Sequence, residues 1–315
     1  MTDLTNDGAG GPLATGGPLA TGGPLATGGP LATGGPGGDA PGRRRKVIHG
    51  LQVRRGTVAR TAMVTPRIRR VTVSGPELVG FASLGPTDHL KLYLPDPATG
   101  EHVVPDLRGG ALRSLARRPP TVRDYTPRAY RPGTDGGELD IDFVLHDNGG
   151  PAASWAAGVQ PGAPVVGGPK SSRLVPDDIS SVVVGGDETA LPALARWLEL
   201  LPLGVQVTVL AEVANAADEA YLAGVRSDAE IHWLHRDGRS PGTTTLLDEA
   251  LRALPVPAPG TRVWFGAEAG SLIGVRRYLR RALGLTAAVA EVSGYWCAGV
   301  AAFDHHAPVD PGDPD

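Results

Sequence analysis

The chain holds one cysteine, Cys297, in 315 residues. That excludes disulfides within the chain and any iron–sulfur or zinc centre built from its own cysteines, so electrons would have to travel on an organic cofactor. An excess of basic charge is missing too. The formal net charge of -3 gives no electrostatic footprint for nucleic acid, and the short run from Arg43 to Lys46 reads as the solvated end of a tail. No apolar stretch approaches membrane-spanning length and no hydrophobic signal core opens the chain, so a cytoplasmic location without a membrane span is the expectation. The dinucleotide fingerprint G-x-G-x-x-G is also absent.

What is present suits about two domains, with 41% hydrophobic residues to form their cores. Ahead of them, Gly-Gly-Pro-Leu-Ala-Thr repeats four times over 10–33. So little apolar surface cannot offset the entropy of ordering glycine, and residues 1–46 are expected to be a disordered low-complexity tail. From 47 to 176 the pattern is β-rich. Strands are expected over 52–63, 67–74, 89–94, 122–130, 138–146 and 163–167, a number that suits a small barrel, with 100–120 as a surface excursion. His89 and Lys91 are read as structural residues of that barrel.

The segment Arg-Asp-Tyr-Thr-Pro-Arg at 123–128 is the most informative stretch. On one strand, Arg123, Tyr125 and Pro127 would share a face and Asp124, Thr126 and Arg128 the other. Tyr125 offers a flat surface for an isoalloxazine, Thr126 a hydroxyl for its polar edge, and Arg128 a guanidinium fork for a pyrophosphate. An edge strand with snorkelling arginines is the plain alternative. The next strand runs through His146 into Gly149, Gly150 and Pro151, a turn and helix start whose free N–H groups make an anion site beside the histidine.

After 176 strands alternate with helices, as in a parallel α/β sheet. Strands are expected at 181–185, 205–210, 231–234, 263–265 and 287–292, and a helix over 188–201. Gly185, Gly186 and Asp187 stand where the first strand yields to that helix, the position at which such sheets bind nucleotides. Asp187 or Thr189 is equally a helix cap. Glu212 would suit ribose hydroxyls and NADH, whereas Arg236 would suit a 2′-phosphate and NADPH; the residues leave that choice open.

The order of four segments, the hexapeptide at 123–128, the stretch 146–155, Gly-Gly-Asp-Glu-Thr-Ala-Leu-Pro-Ala at 185–193 and Gly-Tyr-Trp at 294–296, resembles that of siderophore-interacting proteins, FAD-dependent ferric-siderophore reductases of the ferredoxin-reductase superfamily. The resemblance covers about 47–303. It implies an antiparallel FAD-binding β-barrel over 47–176, a parallel-sheet nicotinamide-binding α/β domain over 177–303, and a flexible tail over 304–315. Implied cofactor-binding residues are Arg123, Tyr125, Thr126, Arg128, His146, Gly149, Gly150, Ala152 and Ser154, together with Asp187, Glu188, Thr189 and Trp296. The cofactors are FAD and NADPH or NADH, the substrate is a ferric siderophore, and the chain is expected to act as a monomer. Gly266, Ala267 and Glu268 are candidates for the nicotinamide side. Arg277 and Arg280, on a helix over 271–283, are candidate contacts for an acidic chelate if that face meets the flavin, and a solvated face otherwise. In relatives a basic pair follows the tryptophan; here Cys297 and Ala298 replace it. No catalytic acid–base residue is required, and His305 and His306, without two further ligands, are assigned no metal. A general flavin or quinone reductase on the same scaffold, and a carrier without turnover, are the other readings.

Overall fold

The computed structural model describes residues 44–50, 52–108, 111–113, 119–146, 150–161, 164–168 and 170–313. The repeats at 10–33 and the glycine Gly149 lie outside them.

The first lobe contains strands β1 (Lys46–Ile48), β2 (Arg54–Thr65), β3 (Ile68–Ser74), β4 (Leu90–Leu94), β5 (Asp106–Arg108), β6 (Ala111–Arg113), β7 (Thr121–Tyr125), β8 (Pro127–Arg131) and β9 (Glu138–Val144), helix α1 (Pro151–Gly158), then β10 (Pro164–Gly167) and β11 (Ser171–Arg173). Seven of the strands form one antiparallel sheet in the order β7-β4-β10-β2-β3-β9-β8. β5 and β6 pair as a small hairpin inside the stretch expected to be an excursion, and β1 pairs with β11.

The strand expected over 122–130 is two strands. β7 ends at Tyr125 and pairs with β4, whereas β8 begins at Pro127 and pairs with β9 at the other edge of the sheet. Proline brings no N–H to a ladder and suits the first residue of an edge strand, which is where Pro127 stands. Since β7 and β8 are joined only through Thr126 yet terminate the strand order at opposite ends, the sheet curls until its edges meet at that residue. The hydrogen-bond ladder itself stays open there. Inside the curl Val71, Leu92, Ile141 and Phe143 are fully buried. Each such side chain contributes about 1.5–3 kcal/mol by leaving water.

The second lobe runs β12 (Ser181–Gly186), α2 (Leu191–Leu200), β13 (Gln206–Val213), β14 (Glu230–His235), α3 (Leu246–Ala253), β15 (Arg262–Glu268), α4 (Leu272–Arg277) and β16 (Ala290–Trp296). Its five strands are parallel, in the order β14-β13-β12-β15-β16. The order reverses at β12, so the crevice beyond its carboxyl end is the switch point at which open α/β sheets take ligands. One sheet face buries α2, Trp197 and Trp264, with Ile68 of β3 in the same cluster; the other buries α3 and α4. The helix expected over 188–201 is a 3₁₀ turn at Glu188–Ala190 followed by α2, because Pro192 sits at the start of the α-helical part.

The two lobes are knitted by polar contacts as much as by Ile68. Thr65 donates to Asp218 at 2.8 Å, Tyr221 donates to Asp142, and Arg196 of α2 donates to the carbonyls of Ser83 at 2.9 Å and Gly85 at 2.8 Å. Arg44 reaches Thr87 at 3.0 Å and Glu291 at 3.3 Å, and its guanidinium lies over the Trp197 ring.

Of the tail expected to be flexible over 304–315, the described residues 304–313 are packed in part. Val309 and Asp310 are buried, and Asp310 and Asp313 pair with Arg277 and Arg281. A run of prolines and polar residues carries no periodicity, but two of its carboxylates, Asp310 and Asp313, find the basic helix.

Candidate active site

Thr126, the residue at which the curled sheet meets itself, is buried, and its side chain interacts with the hydroxyl of Tyr295 on β16. Burial pushes the Tyr295 hydroxyl well above its ordinary value, so it stays protonated. One residue on, the Trp296 indole N–H donates to Asp187 Oδ2 at 2.8 Å. Asp187 also accepts from the backbone N–H of Thr189 at 2.9 Å and of Glu268 at 3.0 Å, and from the Thr189 hydroxyl. A chain of contacts thus runs from the flavin-type motif through β16 to the switch point of the parallel sheet.

Asp187 therefore caps the turn before α2 and ties β12 to β15 and β16. Burial, then the neighbouring Glu188 carboxylate, pushes its carboxyl up to about 6. Gly186 before it is fixed by packing, since a Cβ there would come within 2.1 Å of the Gly266 carbonyl oxygen. Glu188 is buried with both oxygens on the Arg236 guanidinium, which meets Glu212 at 3.4 Å. The two residues read as rival nucleotide selectors, Glu212 and Arg236, are thus partners in one buried ion triad. Burial raises the Glu212 carboxyl above its usual range. Glu268 is buried as well, accepting from the backbone N–H of Ser271 at 2.7 Å and of Ala298 at 3.1 Å. Burial, with the Glu268 carboxylate beside it, pushes the Cys297 thiol up, which leaves it a poor nucleophile.

On the first lobe, the Tyr125 ring lies 4.4 Å from that of Phe143 on β9, which in turn lies 5.6 Å from Trp155 of α1. Arg128 is held by Glu199 of α2 through two bonds of 2.9 and 2.6 Å, while its Nε is buried without a hydrogen-bond partner. Arg123 donates to the Val122 carbonyl at 2.8 Å. His146 is exposed just beyond β9. Gly150 precedes Pro151 at the start of α1, with open space where a Cβ would stand and no acidic residue in the first turn. Ala152 is buried in the core of the first lobe, and Ser154 is exposed. Glu199 and Phe143 are not among the expected cofactor residues. Glu199 gives no local signal, because it is distant in sequence from the arginine it holds.

Arg277 and Arg280 are not brought to this place. They belong to the α4 segment on the sheet face away from Ile68. Arg277 pairs with Asp310 at 2.6 Å, and Arg280 donates to the Leu285 and Ala290 carbonyls at 3.3 and 2.7 Å.

The residues fit a flavin dinucleotide: a buried arginine Nε lacks a partner, a helix start is open above its glycine, and a buried hydroxyl stands where the sheet edges meet.

Comparison with known proteins agrees. Residues 57–173 match the model of the siderophore-interacting FAD-binding domain, and residues 179–299 that of the siderophore-interacting protein. An NADPH-dependent ferric-chelate reductase of Escherichia coli is 36% identical over 229 residues, covering 71% of this chain and 85% of that one. The chain belongs to the siderophore-interacting protein family. Another relative is the ferric vibriobactin reductase ViuB of Vibrio cholerae, 30% identical over 76% of this chain and 88% of its own. The solved structure of a siderophore utilization protein from T. fusca superposes with a TM-score of 0.77 at 41% identity, covering 84% of this chain and all of that one. For a siderophore-interacting protein, the antiparallel sheet followed by a five-stranded parallel sheet is thus the expected fold, with FAD on the first lobe.

Proposed function

We propose that this protein is an FAD-dependent oxidoreductase that takes electrons from NAD(P)H and passes them to a ferric siderophore, releasing ferrous iron. The observation that carries this reading is the contact chain Thr126, Tyr295, Trp296, Asp187, which joins the flavin-type strand to the switch point of the nicotinamide-type sheet. The chemistry FAD supplies when bound is to accept a hydride and to give electrons up singly. The protein positions. Arg128, with its unpartnered Nε, and the N–H groups at the start of α1 hold the pyrophosphate, while Tyr125, backed by Phe143, and Thr126 hold the ring edge. His146, Gly150, the backbone at Ala152, and Ser154 line that approach. The acids Asp187 and Glu188 stay inside the protein, capping and bracing the crevice with Thr189, and Trp296 closes it. Ferrous iron is held less tightly by hard oxygen donors than ferric iron, so reduction favours release from the chelate.

Both lobes belong to one chain, which supports a monomer as the working unit. No helix among the described residues is long and apolar enough to cross a membrane, which supports a cytoplasmic site of action. The test is steady-state reduction with a ferrous chelator as trap. Coloured ferrous complex should form only with FAD, a nicotinamide and the ferric siderophore together. Equal turnover with free flavin or quinones and none with the chelate would point instead to a general reductase.

A further inference from the structure

His89 immediately precedes β4, and Asp304, His305 and His306 follow β16, yet they meet in space. The His305 ring lies 3.9 Å from that of His306 and 4.5 Å from that of His89, centre to centre, and His89 and His306 are 6.3 Å apart. Asp304, His305 and His306 each offer a ligand atom within 4.8 Å of the other two. His305 Nδ1 stands 3.2 Å from Asp124 Oδ2, while its Nε2 is buried with no hydrogen-bond partner. A carboxylate on Nδ1 fixes the proton there and leaves the lone pair on Nε2, the second-sphere arrangement that orients metal-binding imidazoles. Lys91 occupies the same carboxylate at 3.0 and 3.1 Å, so Asp124 acts as the orienting group and not as a ligand.

We propose that Asp304, His305 and His306 form a binding site for a divalent transition-metal ion, ordered by Asp124 and flanked by the His89 ring. Imidazole nitrogens with one carboxylate select ions of the ferrous, cobalt and zinc kind over magnesium or calcium, which take oxygen ligands. Asp124 adjoins Tyr125 on β7, so the ion is held beside the strand that carries the flavin-type motif. Ferrous iron is the occupant the reaction would supply, an assignment that rests on the function proposed above.

The test is calorimetric titration of the full-length, untagged holoprotein with Zn2+, and with Fe2+ under anaerobic conditions. One ion of each should bind per chain. His305→Ala and His306→Ala should each weaken binding by about tenfold or more, and Asp124→Asn by about 10–100-fold, as for second-sphere partners elsewhere. The flavin content of each variant, read from its absorbance, should match wild type and shows that the fold is intact. Wild-type protein without saturable binding, or His305→Ala and His306→Ala variants that bind as well as wild type, overturns the site. Saturable Zn2+ binding without Fe2+ binding overturns the ferrous assignment. Because no siderophore and no turnover enter the titration, these outcomes are independent of whether the chain reduces ferric chelates.

Discussion

The hydroxyl of Tyr295, on the last strand of the parallel sheet, stands beside Thr126, the single residue that joins the two edges of the antiparallel sheet. Tyr295→Phe removes the hydroxyl from this contact between the lobes, and should cost about 1 kcal/mol of stability. Urea denaturation of wild type and variant measures it. The same variant should retain FAD but accept electrons from NAD(P)H more slowly, as followed by rapid-mixing absorbance.

Arg128 is shared between two claims, the Glu199 carboxylate that now holds it and the pyrophosphate of the proposed cofactor. Arg128→Ala should weaken FAD binding by at least about tenfold, in line with the roughly 1.5–3 kcal/mol of a charge-assisted hydrogen bond. Glu199→Gln should keep FAD and tighten it, because it removes a competing anion. Flavin fluorescence titration of the apoproteins separates the two effects.

The triad of Glu188, Arg236 and Glu212 carries a different expectation from the one its residue types suggest. Arg236→Leu strands two buried carboxylates and should destabilise the protein by about 3–5 kcal/mol, the cost of breaking a buried pair. The ratio of NADPH to NADH turnover should stay within about twofold of wild type, since the guanidinium is buried and its terminal nitrogens are held by Glu188 and Glu212. Thermal unfolding with parallel kinetics checks both halves.

Asp187 gives a pH signature. Its folded carboxyl is raised to about 6 from an ordinary value of 3.8, so the charged form is disfavoured by folding. The sign follows: this group favours the native state most below pH 3.8, and its contribution declines as pH rises toward 6. The Trp296 indole bound to it should report the titration as a fluorescence change centred near pH 6, absent in Asp187→Asn.

Much of the architecture was legible because strand periodicity is local. The run ending at Gly186 and the alternation from Glu138 mark β12 and β9 directly. What stayed hidden depends on residues distant in sequence. Pro127 divides an apparently continuous strand, and only the pairing of β7 with β4 and β8 with β9 reveals that the halves lie at opposite edges. Glu212 and Arg236 each carry the right chemistry for a nucleotide, but burial against Glu188 turns that chemistry inward. Likewise the basic residues of the α4 segment suit an acidic chelate by charge, until Asp310 and Asp313 fold back onto that segment. Sequence carries charge and period; which charge meets which is decided by the fold.

The central claim is an electron path from nicotinamide through FAD to a ferric chelate, and anaerobic spectroscopy of the FAD-loaded protein tests it most directly. The account predicts that NADPH or NADH bleaches the flavin band and that added ferric siderophore restores it, with ferrous iron appearing in proportion. A flavin band that NADPH and NADH both leave unchanged, or a bleached band that the ferric chelate does not restore, would contradict it.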